Sequence, residues 1–245
     1  MIRLAAQSWG MLLLLVAWQA WVTATGYNAI VMPSPRQVFD DLAGHAMAYL
    51  APTGATLLVA FVGTACGFAI GITMALASWA SRVVGGMLMP LGLIFSSIPV
   101  VCLIPVLARV LGYGEQTVAA IVAVLTFFPA FVYTSGGLRA APPMTPELFQ
   151  AFGAHRLTLL LRLALPAAVP NMMIALRIGA AQSIIAAMIG EFLMGATGLG
   201  HMFVVTHQDL QMDRAVGAAL VVAVISATSY GLTAIAEARV RAHWI

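Results

Sequence analysis

TGATLLVAFVGTACGFAIGITMALA, residues 53–77, runs for twenty-five positions without a charged side chain. A helix rises about 1.5 Å per residue and crosses the hydrocarbon of a bilayer in about 20 apolar residues, so this stretch reads as a membrane-spanning helix. Its apolar run is continuous, whereas a strand of a membrane barrel would alternate apolar with polar residues. Gly63, Gly67 and Gly71 recur at every fourth position. That spacing lines one helix face with bare backbone and predicts a closely packed neighbour.

The rest of the chain follows the same pattern. Its 245 residues are 62% hydrophobic and 8% charged, with a mean hydropathy of +1.00, against about a quarter charged in a soluble domain. Further apolar stretches at 8–25, 83–111, 117–137, 167–188 and 214–235 make an all-α polytopic membrane protein with six expected spans in one domain. The first is read as a retained helix rather than a cleaved signal, because Trp9, Trp18 and Trp21 suit the membrane interface. The third carries Pro90, Pro99 and Pro105 and is expected to kink or break, and the fourth carries Pro129. Between the first two spans, Ser34 or Pro35 can start a short helix with Val38, Phe39, Leu42 and Met47 on its apolar face. Residues 78–82 read as a turn and 190–213 as a loop. Cys66 and Cys102 fall inside apolar runs and are expected to be free thiols.

All eleven basic residues are arginine, and the net charge of +3 is too thinly spread to bind nucleic acid. With six spans, Arg3, Arg82, Arg139, Arg156, Arg162, Arg239 and Arg241 share one side, against Arg36, Arg109 and Arg214 on the other. The excess of arginine marks the cytoplasmic side, so both termini are expected there. The polar segment 138–166, which Pro142, Pro143 and Pro146 punctuate, then becomes a cytoplasmic helical loop between the fourth and fifth spans.

Within it, residues 147–166 read ELFQAFGAHRLTLLLRLALP. An acidic residue, Glu147, is followed six positions later by Gly153, then by Leu163 and the pair Leu165-Pro166. Gly153 would let the chain turn out of a first helix, and Pro166 would begin the fifth span where a missing N–H costs nothing. The pattern resembles the cytoplasmic signature of binding-protein-dependent ABC importer permeases, Glu-Ala-Ala, three residues, Gly, nine residues, Ile-x-Leu-Pro. Leu148 and Phe149 stand here in place of the alanines. The Pro33-Ser34-Pro35 segment, Ile98-Pro99 through Pro105, Leu111-Gly112-Tyr113-Gly114-Glu115, Leu176-Arg177-Ile178, and Glu191 followed by Gly198-Leu199-Gly200 are similar to the nitrate, sulfonate and taurine branch. That branch also takes in importers of pyrimidine vitamin precursors.

The resemblance implies a type I ABC importer permease with a cytoplasmic coupling helix, embedded in the inner membrane. It makes Glu147, Gly153, Ala154, Leu163, Leu165 and Pro166 the ATPase-coupling residues. The implied partners are two cytoplasmic ABC ATPase subunits, a second permease subunit (identical or homologous) and an extracytoplasmic solute-binding protein. ATP and magnesium would be bound by the ATPases, with no cofactor, metal or catalytic residue in this chain. The absence of lysine is consistent, since a phosphate-binding loop needs one.

Arg177 lies ten residues into the fifth span. A charge at that depth costs several kcal/mol unless it has a partner or a cavity. It could attract an anionic solute, cap carbonyls of the broken third helix, or pair with Glu191. Gln182 and Ser183 fit interhelical hydrogen bonding as well as solute contact, and with Arg177 and Glu191 they form the candidate solute pathway. The expected cargo is a small anionic or polar organic solute. A secondary transporter without an ATPase, and an intramembrane enzyme or scaffold, remain as rivals. Zinc-protease and hydrolase motifs are missing, and His201 and His207 suit a solvated loop.

Overall fold

The computed structural model describes residues 2–140 and 145–244, so Pro142 and Pro143 lie outside the described residues. Helix α1 (Ile2–Thr25) ends at Gly26, whose φ of +65° takes the chain out of the helix. Helix α2 (Pro35–Gly44) opens with a capping box. The Gln37 N–H donates to Ser34 Oγ at 3.4 Å, while the Ser34 N–H donates to Gln37 Oε1 at 2.8 Å. On the apolar face of α2, Val38 is fully buried against the bundle and Phe39 is exposed, while Met47 belongs to the next helix, α3 (Ala46–Ala80).

The expected turn at 78–82 shrinks to Ser81 alone, because α3 continues to Ala80 and α4 (Arg82–Ser97) follows at once. The proline-rich third stretch is delivered in two pieces, α4 and α5 (Val100–Leu111), divided at Ile98 and Pro99. Then come α6 (Glu115–Leu138), α7 (Thr145–Ala151), α8 (Arg156–Leu159), a π-helical turn (Leu160–Ala164) and α9 (Leu165–Met194).

Pro166 does not begin a fresh helix, since the helical run is continuous from Arg156 to Met194. The wide turn explains this. Its last bond runs from the Leu165 N–H to the Leu160 carbonyl, and such a turn accommodates a residue with no N–H of its own. The loop expected at 190–213 is also mostly helical. Helix α9 reaches Met194, Gly195 (φ +67°) stops it, and α10 (Leu199–Gln208) forms before α11 (Met212–Trp244).

Among the described residues, four helical runs are long and apolar enough to cross a membrane: Ala46–Ala80, Glu115–Leu138, Arg156–Met194 and Met212–Ala242. The other two expected spans fall on shorter apolar helices, Leu12–Thr25 within α1 and the pair α4 and α5.

The glycine stripe sets the centre of the fold. A Cβ on Gly63 would stand 2.6 Å from the Ala119 carbonyl, and one on Gly71 2.6 Å from the Phe127 carbonyl. Since 63 meets 119 and 71 meets 127, α3 and α6 run parallel with their backbones in contact. Helix α9 runs antiparallel to both, with Gly190 against Val118, Gly137 against Ala168, and Gly179 against Phe68. Helix α11 is antiparallel to α9, where the Ser226 hydroxyl donates to the Ala181 carbonyl at 2.6 Å. Small residues thus let four long helices approach closely, and this packing replaces the hydrophobic drive that lipid cannot supply.

The two ends of the bundle differ in charge. One gathers Asp40, Asp41, Glu115, Asp209 and Asp213; the other gathers Arg82, Arg139, Arg156, Arg162, Arg239 and Arg241. At the acidic end, Asp41 holds α2 onto the bundle. Its carboxylate accepts from the Tyr49 hydroxyl at 2.6 Å and from Arg214 Nη2 at 2.9 Å, with His45 Nδ1 also at 2.9 Å. Burial pushes this carboxyl up, but the hydrogen bonds from Arg214 and Tyr49 pull it down further, to below its ordinary value.

Candidate functional site

The segment at the arginine-rich end is built from α7, a turn and α8. Helix α7 ends when the Ala154 N–H reaches the Phe149 carbonyl at 3.0 Å, with Gly153 left-handed at φ +73°. Other residues adopt that conformation poorly, while the space around Gly153 is open, so backbone geometry and not crowding calls for glycine. His155 then turns extended and starts α8. Glu147 is exposed, Ala154 and Leu163 are half-buried, and Leu165 and Pro166 are half-buried in the first turn of α9. The apolar side chains here face outward: Phe152 is 82% exposed, and Leu148 and Leu157 are also exposed.

The four pathway residues fall at three separate places. Arg177 pairs with neither Glu191 nor the broken third helix. Its Nη1 lies 2.9 Å from Glu237 Oε2, and its guanidinium sits over the Tyr230 ring at 5.2 Å. Glu237 also holds Arg241 at 3.4 Å. The charge that the sequence places in α9 is therefore neutralised from α11, by an acid near that helix's end.

Glu191 is fully buried at the opposite end of α9. Its Oε2 accepts from the Thr56 hydroxyl and from the Gly200 N–H, both at 2.9 Å, and Thr56 Oγ1 accepts from the Leu199 N–H at 2.9 Å. A carboxylate and a hydroxyl thus satisfy the first N–H groups of α10 and tie it to α3 and α9. Gly198, at φ +152°, abuts the Glu191 carboxylate so closely that a side chain has no room. Sequence reasoning missed Thr56, which is one threonine among several in an apolar run.

Gln182 and Ser183 point different ways. Gln182 is exposed, whereas Ser183 is buried and lines a cavity of about 390 Å³ between α3, α9 and α11. Leu57, Phe61, Phe68, Leu176 and Ile184 make this lining mostly apolar and uncharged, and the Thr64, Ser183 and Thr233 hydroxyls in it each donate to a carbonyl of their own helix.

The family model described as "Binding-protein-dependent transport system inner membrane component" matches residues 67–242. The chain is 32% identical to a "Probable ABC transporter permease protein" of Haemophilus influenzae, over 89% of each chain. It is 31% identical to the "Formylaminopyrimidine transport permease protein ThiX" of Halalkalibacterium halodurans, over 78% of this chain and 76% of that one. It is 25% identical to the "Taurine transport system permease protein TauC" of Escherichia coli, over 87% of this chain and 80% of that one. Among solved structures, an inward-facing form of the MetNI methionine ABC transporter superposes with a TM-score of 0.65. That match covers 81% of this chain and 98% of the other at 23% identity, a likeness of fold.

Proposed function

The chain belongs to the inner membrane components of binding-protein-dependent transport systems, and from that premise we propose how this ABC permease subunit works. Helices α1, α3, the α4–α5 pair, α6, α9 and α11 form six spans, with the arginine-rich end and both termini in the cytoplasm. The partners are two ATPase subunits, a second permease subunit and an extracytoplasmic solute-binding protein, and ATP with magnesium binds to the ATPases. Closure of the ATPases moves the 147–166 segment, and the pathway alternates between its two openings.

The observation that carries this reading is the outward display of Leu148, Phe152 and Leu157 beyond the spans, on a turn fixed by Gly153. Exposed aromatic and aliphatic side chains in a polar segment fit a protein groove. For the cargo, the uncharged and mostly apolar wall around Ser183 favours a small organic molecule over a bare anion. Pairing of Arg177 with Glu237 supports the same choice, because it takes the α9 guanidinium away from anion binding. A vitamin precursor resembling a formylated aminopyrimidine has suitable chemistry.

The test compares Phe152→Asp and Gly153→Asp with the wild type for membrane insertion, ATPase co-purification and solute uptake. Both variants should insert normally, lose the ATPase and lose uptake. Full uptake with an intact complex in both would overturn the coupling assignment.

A further inference from the structure

Two adjoining cavities open at the arginine-rich end, where α3 turns into α4. One, of about 450 Å³, is lined by Trp79, Ser81, Arg82, Arg156 and Leu159. The other, of about 530 Å³, is lined by Ser78, Trp79, Arg82, Gly85, Gly86 and Arg139. They share Trp79 and Arg82, so together they form one groove with three guanidinium groups around it.

Neither lining contains an acidic side chain. Among the described residues, the ion pairs engage Arg36, Arg177, Arg214 and Arg241, and none engages Arg82, Arg139 or Arg156. Arg139 makes a 3.4 Å hydrogen bond from Nη2 to Ser78 Oγ, which leaves most of its donors free. Three uncompensated cations around a groove select a multiply accepting anion, and a phosphate matches the forked donors of arginine.

What lies below the groove identifies the rest of the ligand. Val83, Met87 and Leu91 follow Arg82 along α4 at every fourth residue, and they are 73%, 62% and 45% exposed. Ile94 continues the same stripe. An apolar track thus runs from the arginines into the spanning region. Trp79, on the groove wall, is the residue type that sits at the level of lipid headgroups. A free phosphate would use the arginines and ignore the track, and so would an acidic protein surface. A phospholipid uses both.

We propose that this groove binds the phosphate of an anionic phospholipid, held by Arg82, Arg139 and Arg156, with an acyl chain lying along Val83, Met87 and Leu91. A lipid seated there bridges the start of α4 to α8, whose Arg82 and Arg156 line the same cavity. The site needs the chain to stand in a bilayer and does not depend on which partner meets α7.

The experiment uses the full chain in nanodiscs of phosphatidylcholine with or without phosphatidylglycerol, and native mass spectrometry reads the lipid retained. Each surface arginine contributes about five-fold to anionic lipid affinity, so Arg82→Gln with Arg139→Gln should weaken phosphatidylglycerol retention about 25-fold and the triple variant on the order of a hundredfold. Arg109→Gln, at the opposite end, should leave retention unchanged. The double variant leaves α8 intact and should keep its ATPase, which separates failure of the lipid site from failure of partner docking. Equal retention by wild type and triple variant would overturn the proposal. So would displacement of the lipid by inorganic phosphate alone, which would make the site one for free phosphate. Loss of the ATPase from the double variant with lipid retention unchanged would assign the groove to a protein surface and also overturn it.

Discussion

Glu237→Ala should destabilise the bundle by stranding Arg177. The two groups stand 2.9 Å apart with side chains 29% and 7% exposed, so water screens them only in part. At an effective dielectric constant of about 20, that separation gives about 6 kcal/mol of raw attraction. Desolvating the carboxylate cancels several kcal/mol of it, which leaves a net coupling of about 2 kcal/mol. The single variant loses more, about 3 kcal/mol, since the arginine stays behind with only the Tyr230 face, worth about 1 kcal/mol, to hold it. Arg241 adds little, because its side chain is half exposed. For a chain of this length, 1 kcal/mol shifts the melting temperature by about 3 °C, so Glu237→Ala should melt about 9 °C lower. The double variant Arg177→Met/Glu237→Ala should melt about 6 °C higher than the sum of the two single effects predicts. Tryptophan fluorescence of the chain in nanodiscs reads the melt, and uptake competition reads solute preference. Additive melting shifts would refute the ion-pair reasoning. So would an Arg177→Met variant that melts like the wild type but prefers a different solute, because that would return Arg177 to the pathway.

Three further perturbations test other joints. Gly67→Ala places a methyl group against Thr126 and 2.5 Å from the Ala123 carbonyl, and should cost about 2 kcal/mol by forcing α3 from α6, whereas Gly54→Ala meets open space and should be neutral in the same melt. Thr56→Val removes the hydroxyl shared by Glu191 and the Leu199 N–H, and should cost about 2 kcal/mol and speed hydrogen exchange at the start of α10; unchanged exchange there would count against the clamp. Asp41 titrates below its ordinary 3.8 because Arg214 and Tyr49 outweigh its burial, so its stabilising contribution is complete above 3.8 and fades as pH falls through the lower folded value. The gap in melting temperature between wild type and Asp41→Asn should therefore close as the pH is taken into acid.

What the sequence shows well is local. The glycine spacing at 63, 67 and 71 predicts a close neighbour, and the structure supplies α6; the prolines around 99 predict a break, and α4 ends there. Gly153 is legible as a turn for the same reason, since one residue's backbone preference decides it. What fails depends on distant partners. Arg177 is visible as an anomaly, but Glu237 sits sixty positions away and looks like an ordinary acid near the chain's end. Glu191 and Thr56 are 135 residues apart, and neither advertises the other. Helix α10 reads as loop because its ten residues are mixed in polarity, and its stability comes from a cap provided by α9 and α3. Pro166 misleads in the opposite sense: the rule that proline begins helices is sound, but a widened turn upstream lets the helix run through it.

On the proposed coupling through the 147–166 segment, the unbroken helical run from Arg156 to Met194 would serve as a lever. Thirty-nine residues at about 1.5 Å each give a rod about 58 Å long, so a tilt of about five degrees at one end swings the other by about 5 Å. Its effort arm would begin at α8, beside the displayed Phe152, and its load arm would end on Glu191, which holds α10. The wide turn at 160–164 lies near the effort end, where compliance subtracts least from the stroke delivered to the far side.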